Sequence, residues 1–369
     1  MINIDIHTKR ITSDTRIFVA RPGAKYRFYE LFVDRNFVGP DLPGLDLPEF
    51  DNLQDIEDLD ARVKRSVAYR RYFLRGENDV QEPAIDIRNY LDAPDDQAFS
   101  QFIRVVRAYF DNMKVGDLVI VPPVNFRGQA QIGELTAGPS VVKTLGVAIY
   151  PGMPLTGRNV RWLASMEKAK LPSQTLDALQ KPSPLFLLTR DAWAAVFRRA
   201  YGSYVTDVEY GSRFEITSER YQTVDDFNIQ AFFNFVAANT DRVANGREDL
   251  LNFQRGAFSA QGVAPDLYTN VNSPGGLSLK SAVVTPIVIA VMLTLAVTVG
   301  PDAFAAAMEG TITFGNSQAP AGDACVAEVG SQVVTQLKLL GYDLWAEACQ
   351  HARTAAANTG ISTTVDIKN

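Results

Sequence analysis

Histidine and cysteine are almost absent from this chain, which has two of each in 369 residues. His7 and His351 lie far apart in sequence, and Cys325 and Cys349 are both near the C-terminus. So few ligands disfavour a structural zinc site, and residues 1–324 cannot hold a disulfide framework. A Ser-His-Asp or Cys-His enzyme is disfavoured for the same reason. We therefore predict no metal, no cofactor and no catalytic activity.

Positive charge is scarce in the second half of the chain. Residues 201–369 carry 9 Lys and Arg against 17 Asp and Glu, a net of −8, whereas residues 1–200 carry 27 against 25, a net of +2. Within the first half, residues 101–200 have 13 basic and 6 acidic side chains, a net of +7. A basic stretch in an acidic protein indicates a face for a polyanion such as nucleic acid. A solvated surface is the alternative.

Hydrophobic patterning divides the first 200 residues into short strands and a few helices. The clearest helix is SQFIRVVRAYFDNM (100–113), whose apolar residues recur with a 3.6-residue period. KVGDLVIVPP (114–123) follows and predicts a tight turn, a strand buried on both faces, and a stop at two prolines, which have no N–H for a β-ladder. Further strands are predicted at residues 17–20, 129–135, 145–150, 159–163 and 184–189, with a short helix at 171–180. This mixture predicts an α+β fold built on a small barrel.

The second half has a different pattern. Residues 192–201 and 227–243 have helical spacing, and residues 264–279 are rich in Pro, Gly, Ser and Asn, which predicts a linker. Residues 201–280 therefore read as a helical connector and linker. Residues 301–369 are rich in alanine and are predicted to be helical. We expect the C-terminal region to be mainly α-helical.

Residues 281–300 form an apolar segment without a charge between Lys280 and Asp302. A helix of 20 residues rises about 30 Å, the thickness of a bilayer's hydrocarbon core. One interpretation is a transmembrane helix in the cell inner membrane, with the basic N-terminal domain in the cytoplasm; Cys325 and Cys349 would then lie outside, where they could form a disulfide. The other is a buried helix or strand pair in a cytoplasmic protein, which the many β-branched residues allow.

Several short motifs occur in an order that resembles a known family. They are FVARPG (18–23), KVGDLVIVP (114–122), QIGEL (131–135) and VRWL (160–163). Together they resemble the EVE-like domain of the PUA superfamily, found at the N-terminus of Mrr-type restriction proteins and related defence proteins. The resemblance spans residues 14–190. It implies that residues 1–200 form a small PUA/EVE-like β-barrel with covering helices.

The resemblance also implies a concave pocket for a flipped or modified base, or for a nucleotide-like ligand. Such a base needs a stacking surface and hydrogen bonds to its edge, and its backbone needs nearby cations. The candidates are Trp162, Phe126 and Phe37 for stacking, Asn125 and the backbone from Val121 for edge contacts, and Arg21, Arg127, Arg158 and Arg161 for phosphates. A place in the core is the alternative for Trp162, and we interpret Asp117 as a turn residue.

The family's usual nuclease is missing, because residues 200–369 offer no strand pair with an Asp followed by Glu/Gln-x-Lys. We therefore predict a non-enzymatic, membrane-anchored sensor that binds a modified nucleobase or nucleotide, in prokaryotic antiviral defence. The alternative is a soluble module that binds modified DNA, with a helical domain for oligomerisation or for a partner. The expected partners are thus modified nucleic acid or a nucleotide-like ligand, a membrane in the first case, and further copies of the chain.

Overall fold

The computed structural model describes residues 1–75, 81–171, 173–180, 183–270, 275–319 and 322–368. The chain divides into two compact units. The half-barrel unit comprises Asp14–Val196, and the bundle unit comprises Met1–Ser13 together with Phe197–Asn369. The predicted boundary near residue 200 lies close to this division. The first 13 residues, however, pair with strands of the bundle unit, as described below.

The described residues contain strands from both units. In chain order they are β1 (Ile2–Asp5), β2 (Thr8–Arg10), β3 (Ile17–Ala20), β4 (Phe37–Val38), β5 (Leu118–Val121), β6 (Gln129–Leu135), β7 (Lys143–Leu145), β8 (Leu155–Glu167), β9 (Leu185–Leu187), β10 (Ser203–Val205), β11 (Tyr210–Ile216), β12 (Asp266–Asn270), β13 (Gly275–Ser281), β14 (Ile312–Gly315) and β15 (Asp366–Lys368). Most are short, and β8 is the longest of them.

The helices lie between groups of these strands along the chain. They are α1 (Tyr29–Asp34), α2 (Leu59–Arg75), α3 (Gln97–Arg107), α4 (Ser173–Ala178), α5 (Trp193–Ala200), α6 (Thr223–Ala244), α7 (Phe253–Phe258), α8 (Thr285–Thr298), α9 (Asp302–Met308) and α10 (Ala324–Thr359). One π turn, Ala108–Asn112, continues α3. The fold is therefore mixed α+β, as predicted at that level.

One curled sheet forms the half-barrel unit. Its strands lie in the order β4-β8-β6-β5-β3-β9, and β7 pairs with β8 off this path. β3 and β5 are parallel, whereas the other neighbours are antiparallel. The sheet curls into a half-barrel. Side chains from α2, α3 and the sheet share one hydrophobic core.

The KVGDLVIVPP motif forms the turn and strand that its residues predict. Asp117 is buried and accepts hydrogen bonds from the backbone N–H groups of Lys114 (2.8 Å) and Arg16 (2.8 Å). Gly116 has φ 86°, a conformation that favours glycine. β5 then runs fully buried and ends at Val121, directly before Pro122. Asp117 is thus a turn residue, as interpreted from the sequence.

Three long helices and two sheets form the bundle unit. α6, α8 and α10 pack on one another around a large apolar core. β1 lies between β14 and β15, and β2 is the edge strand of a second sheet ordered β12-β13-β11-β10-β2. Because β1 and β2 complete these two sheets, the first residues of the chain belong to this unit.

Residues 301–369 are mainly helical through α9 and α10, as predicted, and also contain the short strands β14 and β15. Two predictions about local structure are wrong. The predicted linker over residues 264–279 contains β12 and β13, which pair with each other; residues 271–274 lie outside the described residues. The predicted strand 145–150 is a strand only to Leu145, and a turn follows. Composition alone does not distinguish a linker from a segment that contains paired strands.

The apolar segment contains a shorter helix than predicted. Ser281 is the last residue of β13, and α8 has 14 residues, a rise of about 21 Å. Gly300, with φ 75°, follows it. Residues 287–292 are 0% exposed, and α8 packs against α6, α10 and β11. This packing agrees with the buried-helix interpretation.

A test of length and apolarity over the described helices finds none that could cross a bilayer alone. The pair α8 and α9, which is bent by 118° at the break between them, passes the test jointly.

Cys325 and Cys349 are both free and buried, so the predicted disulfide is wrong in this structure. They lie in the same helix, α10, on either side of its kink at Gly341. Burial raises the pKa of each thiol to about 12. The thiolate form is therefore suppressed at neutral pH.

We expect Val291→Ala to lower the free energy of unfolding by about 2 kcal/mol, because it leaves a cavity among protein side chains. Val283→Ala is the matched control: Val283 is 56% exposed, and its loss should change the free energy by less than about 0.5 kcal/mol. Chemical denaturation measures both. Equal effects would contradict the packing of α8.

We expect both thiols to resist a thiol reagent at pH 8 in the folded protein and to react fully in 6 M guanidinium. Unfolded thiols lose their protons near pH 9.0 and folded ones near 12, so the folded state binds more protons between these values and stability should fall as the pH rises through this range. If the protein, unfolded without a reducing agent, shows no free thiol, the two cysteines form a disulfide after all.

Candidate ligand-binding cavity

A cavity of about 320 Å³ lies in the half-barrel unit between the ends of strands and the facing sides of two helices. We call it the Asp41 cavity. The loop after β3, the turn after β4, α2, α3 and the π turn all contribute to its wall. Its aromatic and charged lining residues are Arg21, Lys25, Tyr26, Asp41, Arg70, Phe102 and Tyr109.

The loop after β3 is held in an unusual backbone conformation at the edge of this cavity. Lys25 and Tyr26 both have positive φ, 54° and 59°, a region that costs a residue with a side chain roughly 1–2 kcal/mol. The backbone N–H of Ala24 donates to the carboxylate of Asp41 at 3.1 Å, and Phe28 donates to the carbonyl of Pro22 at 3.0 Å. Such strain persists only where surrounding contacts maintain it, and it is common at ligand sites.

A buried carboxylate organises the polar side of the cavity. Asp41 accepts a hydrogen bond from the hydroxyl of Tyr150 at 2.6 Å, and its other oxygen lies 3.1 Å from Nη2 of Arg70. Burial, followed by the nearby Asp41 charge, raises the pKa of Tyr150. The hydroxyl therefore stays protonated as a donor. Asp41 thus fixes the loop, a tyrosine and an arginine in one network.

Arg70 carries both a cation–π contact and a buried donor. Its guanidinium carbon lies 5.1 Å from the ring centroid of Phe102, which gives a cation–π contact. Its Nε is buried, and no acceptor among the described residues pairs with it. A buried donor without a partner is unfavourable, so an acceptor on a bound molecule would stabilise this site.

Aromatic rings form the apolar part of the cavity wall. Phe102 and Tyr109 come from the apolar stripe of α3 and from the π turn, and Tyr26 comes from the strained loop. Tyr26 lies near two cations: the guanidinium carbon of Arg21 is 5.9 Å from its ring centroid, and Nζ of Lys168 is 5.7 Å away. The cavity thus combines flat apolar surfaces with positive charge.

The predicted phosphate ligand Arg158 is instead a buried structural residue. It is 0% exposed, and Nη1 donates to the carbonyls of Tyr109 (3.0 Å) and Met113 (2.6 Å), while Nη2 donates to that of Ala137. Burial lowers its pKa to about 10, although the charge of Asp117 acts in the opposite direction. The guanidinium therefore binds backbone carbonyls, and the prediction that Arg158 contacts a phosphate is wrong.

The π turn explains why those carbonyls are free. Met113 donates its N–H to the carbonyl of Ala108, five residues earlier, at 2.9 Å. An α-helix would use the carbonyl of Tyr109 for this bond. The wider turn therefore leaves the Tyr109 oxygen to Arg158.

Three other predicted ligands also lie in or against the core. Phe37 and Val121 are 0% exposed, and Phe37 packs edge-on to Phe32 at 5.5 Å. Trp162 packs against the same core and donates its indole N–H to the carbonyl of Val33 at 3.1 Å. As ligand contacts these predictions are wrong, because residue type alone does not say which face of a strand meets the core.

The remaining predicted residues reach the surface. Arg21 lines the Asp41 cavity. Asn125, Phe126 and Arg127 are exposed on the loop between β5 and β6. Arg161 is exposed and forms an ion pair with Glu134 at 2.8 Å. None of these last four lines the cavity.

The sequence carried weak signals for the residues that prediction missed. Phe102 and Tyr109 were recognised only as parts of an apolar helix stripe, which is typical of core residues. Tyr26 follows a Pro-Gly turn, and Asp41 lies in a loop rich in proline and glycine, where aromatic and acidic side chains are better functional candidates. Arg70 had no signal, since α2 contains many arginines.

No group of His, Cys, Asp and Glu among the described residues could hold a metal ion.

We expect Lys25→Gly to raise the free energy of unfolding by about 0.5–1 kcal/mol, because glycine adopts positive φ without a steric penalty. Gly23→Ala should do the opposite, since Gly23 has φ 73° and a Cβ there would lie 2.5 Å from the ring of Phe28. Chemical denaturation of both variants measures the difference. A loss of stability in Lys25→Gly would show that the loop is unstrained.

Comparisons with known proteins identify no relative from which the role of the site could be inferred. No family model, curated protein or solved structure matches this chain. The resemblance to an EVE-like domain therefore stays a prediction.

Proposed function

We propose that the half-barrel unit binds a nucleobase or a nucleotide-like ligand in the Asp41 cavity, and that modified DNA is its source. The lining carries this proposal, because it combines aromatic rings with guanidinium groups around a strained, fixed loop. Ligand pockets commonly measure about 300–1,000 Å³, so a cavity of about 320 Å³ suits a base or nucleoside better than a large cofactor.

Each part of the wall has a role in this function. The rings of Tyr26 and Phe102 offer faces on which a base could stack. The unpaired Nε–H of Arg70 donates to an acceptor on the edge of the base. Arg21 and Lys168, both near the ring of Tyr26, attract the phosphates. We assign no catalytic step to these groups.

The EVE-like identity and the defence role rest on the resemblance of the motifs alone. The bundle unit would then transmit binding to a partner or to further copies of the chain. Two exposed phenylalanines, Phe227 and Phe258, lie with their ring centroids 6.3 Å apart in this unit and favour such an association. A membrane anchor has less support, since protein surrounds α8.

A binding screen with the full chain tests the proposal. The probes are labelled 15-base oligonucleotides, single-stranded and duplex, that carry one 5-methylcytosine, 5-hydroxymethylcytosine, N6-methyladenine or no modification, together with the free nucleotides. We expect one modified base to bind more tightly than its unmodified partner, with an affinity that falls as salt rises. Failure of every probe to bind would reject the function.

Tyr26→Ala locates the binding in the cavity. Alanine meets the same strain at positive φ, so the variant removes the ring and leaves the backbone conformation unchanged. Loss of one stacking surface costs about 1–3 kcal/mol, or at least about fivefold in affinity. Tyr342→Ala, an exposed tyrosine of the bundle unit, is the matched control and should bind normally. Equal affinity of Tyr26→Ala and the wild type would place the ligand elsewhere.

A further inference from the structure

The loop between β5 and β6 presents two apolar side chains to solvent at its tip. Val124 is 59% exposed and Phe126 is 61% exposed, whereas Pro122 and Pro123 just before them are buried. Arg127 follows and is also exposed. Exposed aromatic residues on loops are more often used for binding than for folding.

The backbone of this loop is fixed by hydrogen bonds to the segment after β8. Ala169 donates to the carbonyl of Phe126 at 3.1 Å, Lys168 donates to that of Gly128 at 2.8 Å, and Gly128 donates to that of Asn125 at 3.1 Å. The exposure of Phe126 is therefore a property of the folded loop. A side chain presented on a rigid backbone loses little entropy when it binds.

Lys168 connects the loop to the Asp41 cavity. Its Nζ donates to the carbonyl of Pro123 at 3.3 Å and lies 5.7 Å from the ring centroid of Tyr26, which lines the cavity. Burial and then the nearby charge of Arg21 lower the pKa of Lys168. Lys168 and Arg127 therefore place positive charge at the loop that carries the exposed phenylalanine, and Arg21 lies near Lys168.

We propose that Phe126 inserts into the base stack of double-stranded DNA next to the base that enters the Asp41 cavity, and fills the space that this base leaves. The inference rests on the proposed function. Proteins that kink or open a duplex insert apolar side chains such as phenylalanine between base steps, and an extruded base leaves an unpaired, unstacked gap. A lipid surface could also accept a loop with apolar and basic residues, but the shared Lys168 favours the ligand of the cavity.

The experiment compares duplex and single-stranded probes from the same panel, with 2-aminopurine beside the modified base, against wild-type protein, Phe126→Ala and Phe126→Leu. A single strand has no gap to fill. Phe126→Ala should therefore weaken duplex binding at least about fivefold and abolish the rise in 2-aminopurine fluorescence, while single-strand affinity stays unchanged. Phe126→Leu should retain most of both signals, since leucine also inserts between bases. Val115→Ala, which removes another exposed side chain of this unit, should behave as the wild type.

Several outcomes would overturn the inference while the proposed function stands. One is unchanged duplex affinity in Phe126→Ala; another is an equal loss for duplex and single strand. Wild-type binding to single strands or free nucleotides but not to duplexes is a third. A fourth is loss of binding to vesicles of anionic phospholipid in Phe126→Ala with duplex binding intact, which would assign the loop to a membrane. Tyr26→Ala should lose binding to both duplex and single-stranded probes. The binding site in the cavity and the insertion of Phe126 are therefore tested by different variants.

Discussion

A buried arginine fixes the half-barrel unit where its main helix meets its sheet. Arg158, on β8, is 0% exposed and donates to the carbonyls of Tyr109 and Met113, at the end of α3. A desolvated guanidinium is stable only when acceptors surround it, so the helix end and the strand are locked together. Since Tyr109 lines the Asp41 cavity, the same contact positions one wall of the candidate site.

Asp41 acts in a similar way on other parts of the cavity wall. Its carboxylate holds the N–H of Ala24, the hydroxyl of Tyr150 and the guanidinium of Arg70. The loop that carries Tyr26 is thereby kept in a conformation that a free chain would avoid. Both buried charges, one positive and one negative, hold the site in place before any ligand binds, which is the condition for affinity at a small cavity.

Prediction succeeded where a segment's own residues decide its structure. The apolar run of β5 ends at two prolines, and β6 has the predicted bounds of 129–135. Prediction failed where the role of a side chain depends on what packs against it. Arg158, Phe37 and Trp162 have the residue types of a nucleotide site, but their side chains face the core or its edge. On a strand, neighbouring residues face opposite sides, and which side becomes the core depends on what packs there.

The same limit applies to the apolar segment at residues 281–300. Its composition shows that the segment must avoid water, but composition does not show whether lipid or protein surrounds it. In this structure, α6, α10 and β11 pack against its helix. Local chemistry was enough to place turns, short strands, an α+β mixture and a basic region. The cavity required contacts between Asp41, Arg70 and Phe102, which are distant along the chain, and such contacts exist only after the helices pack on the curled sheet.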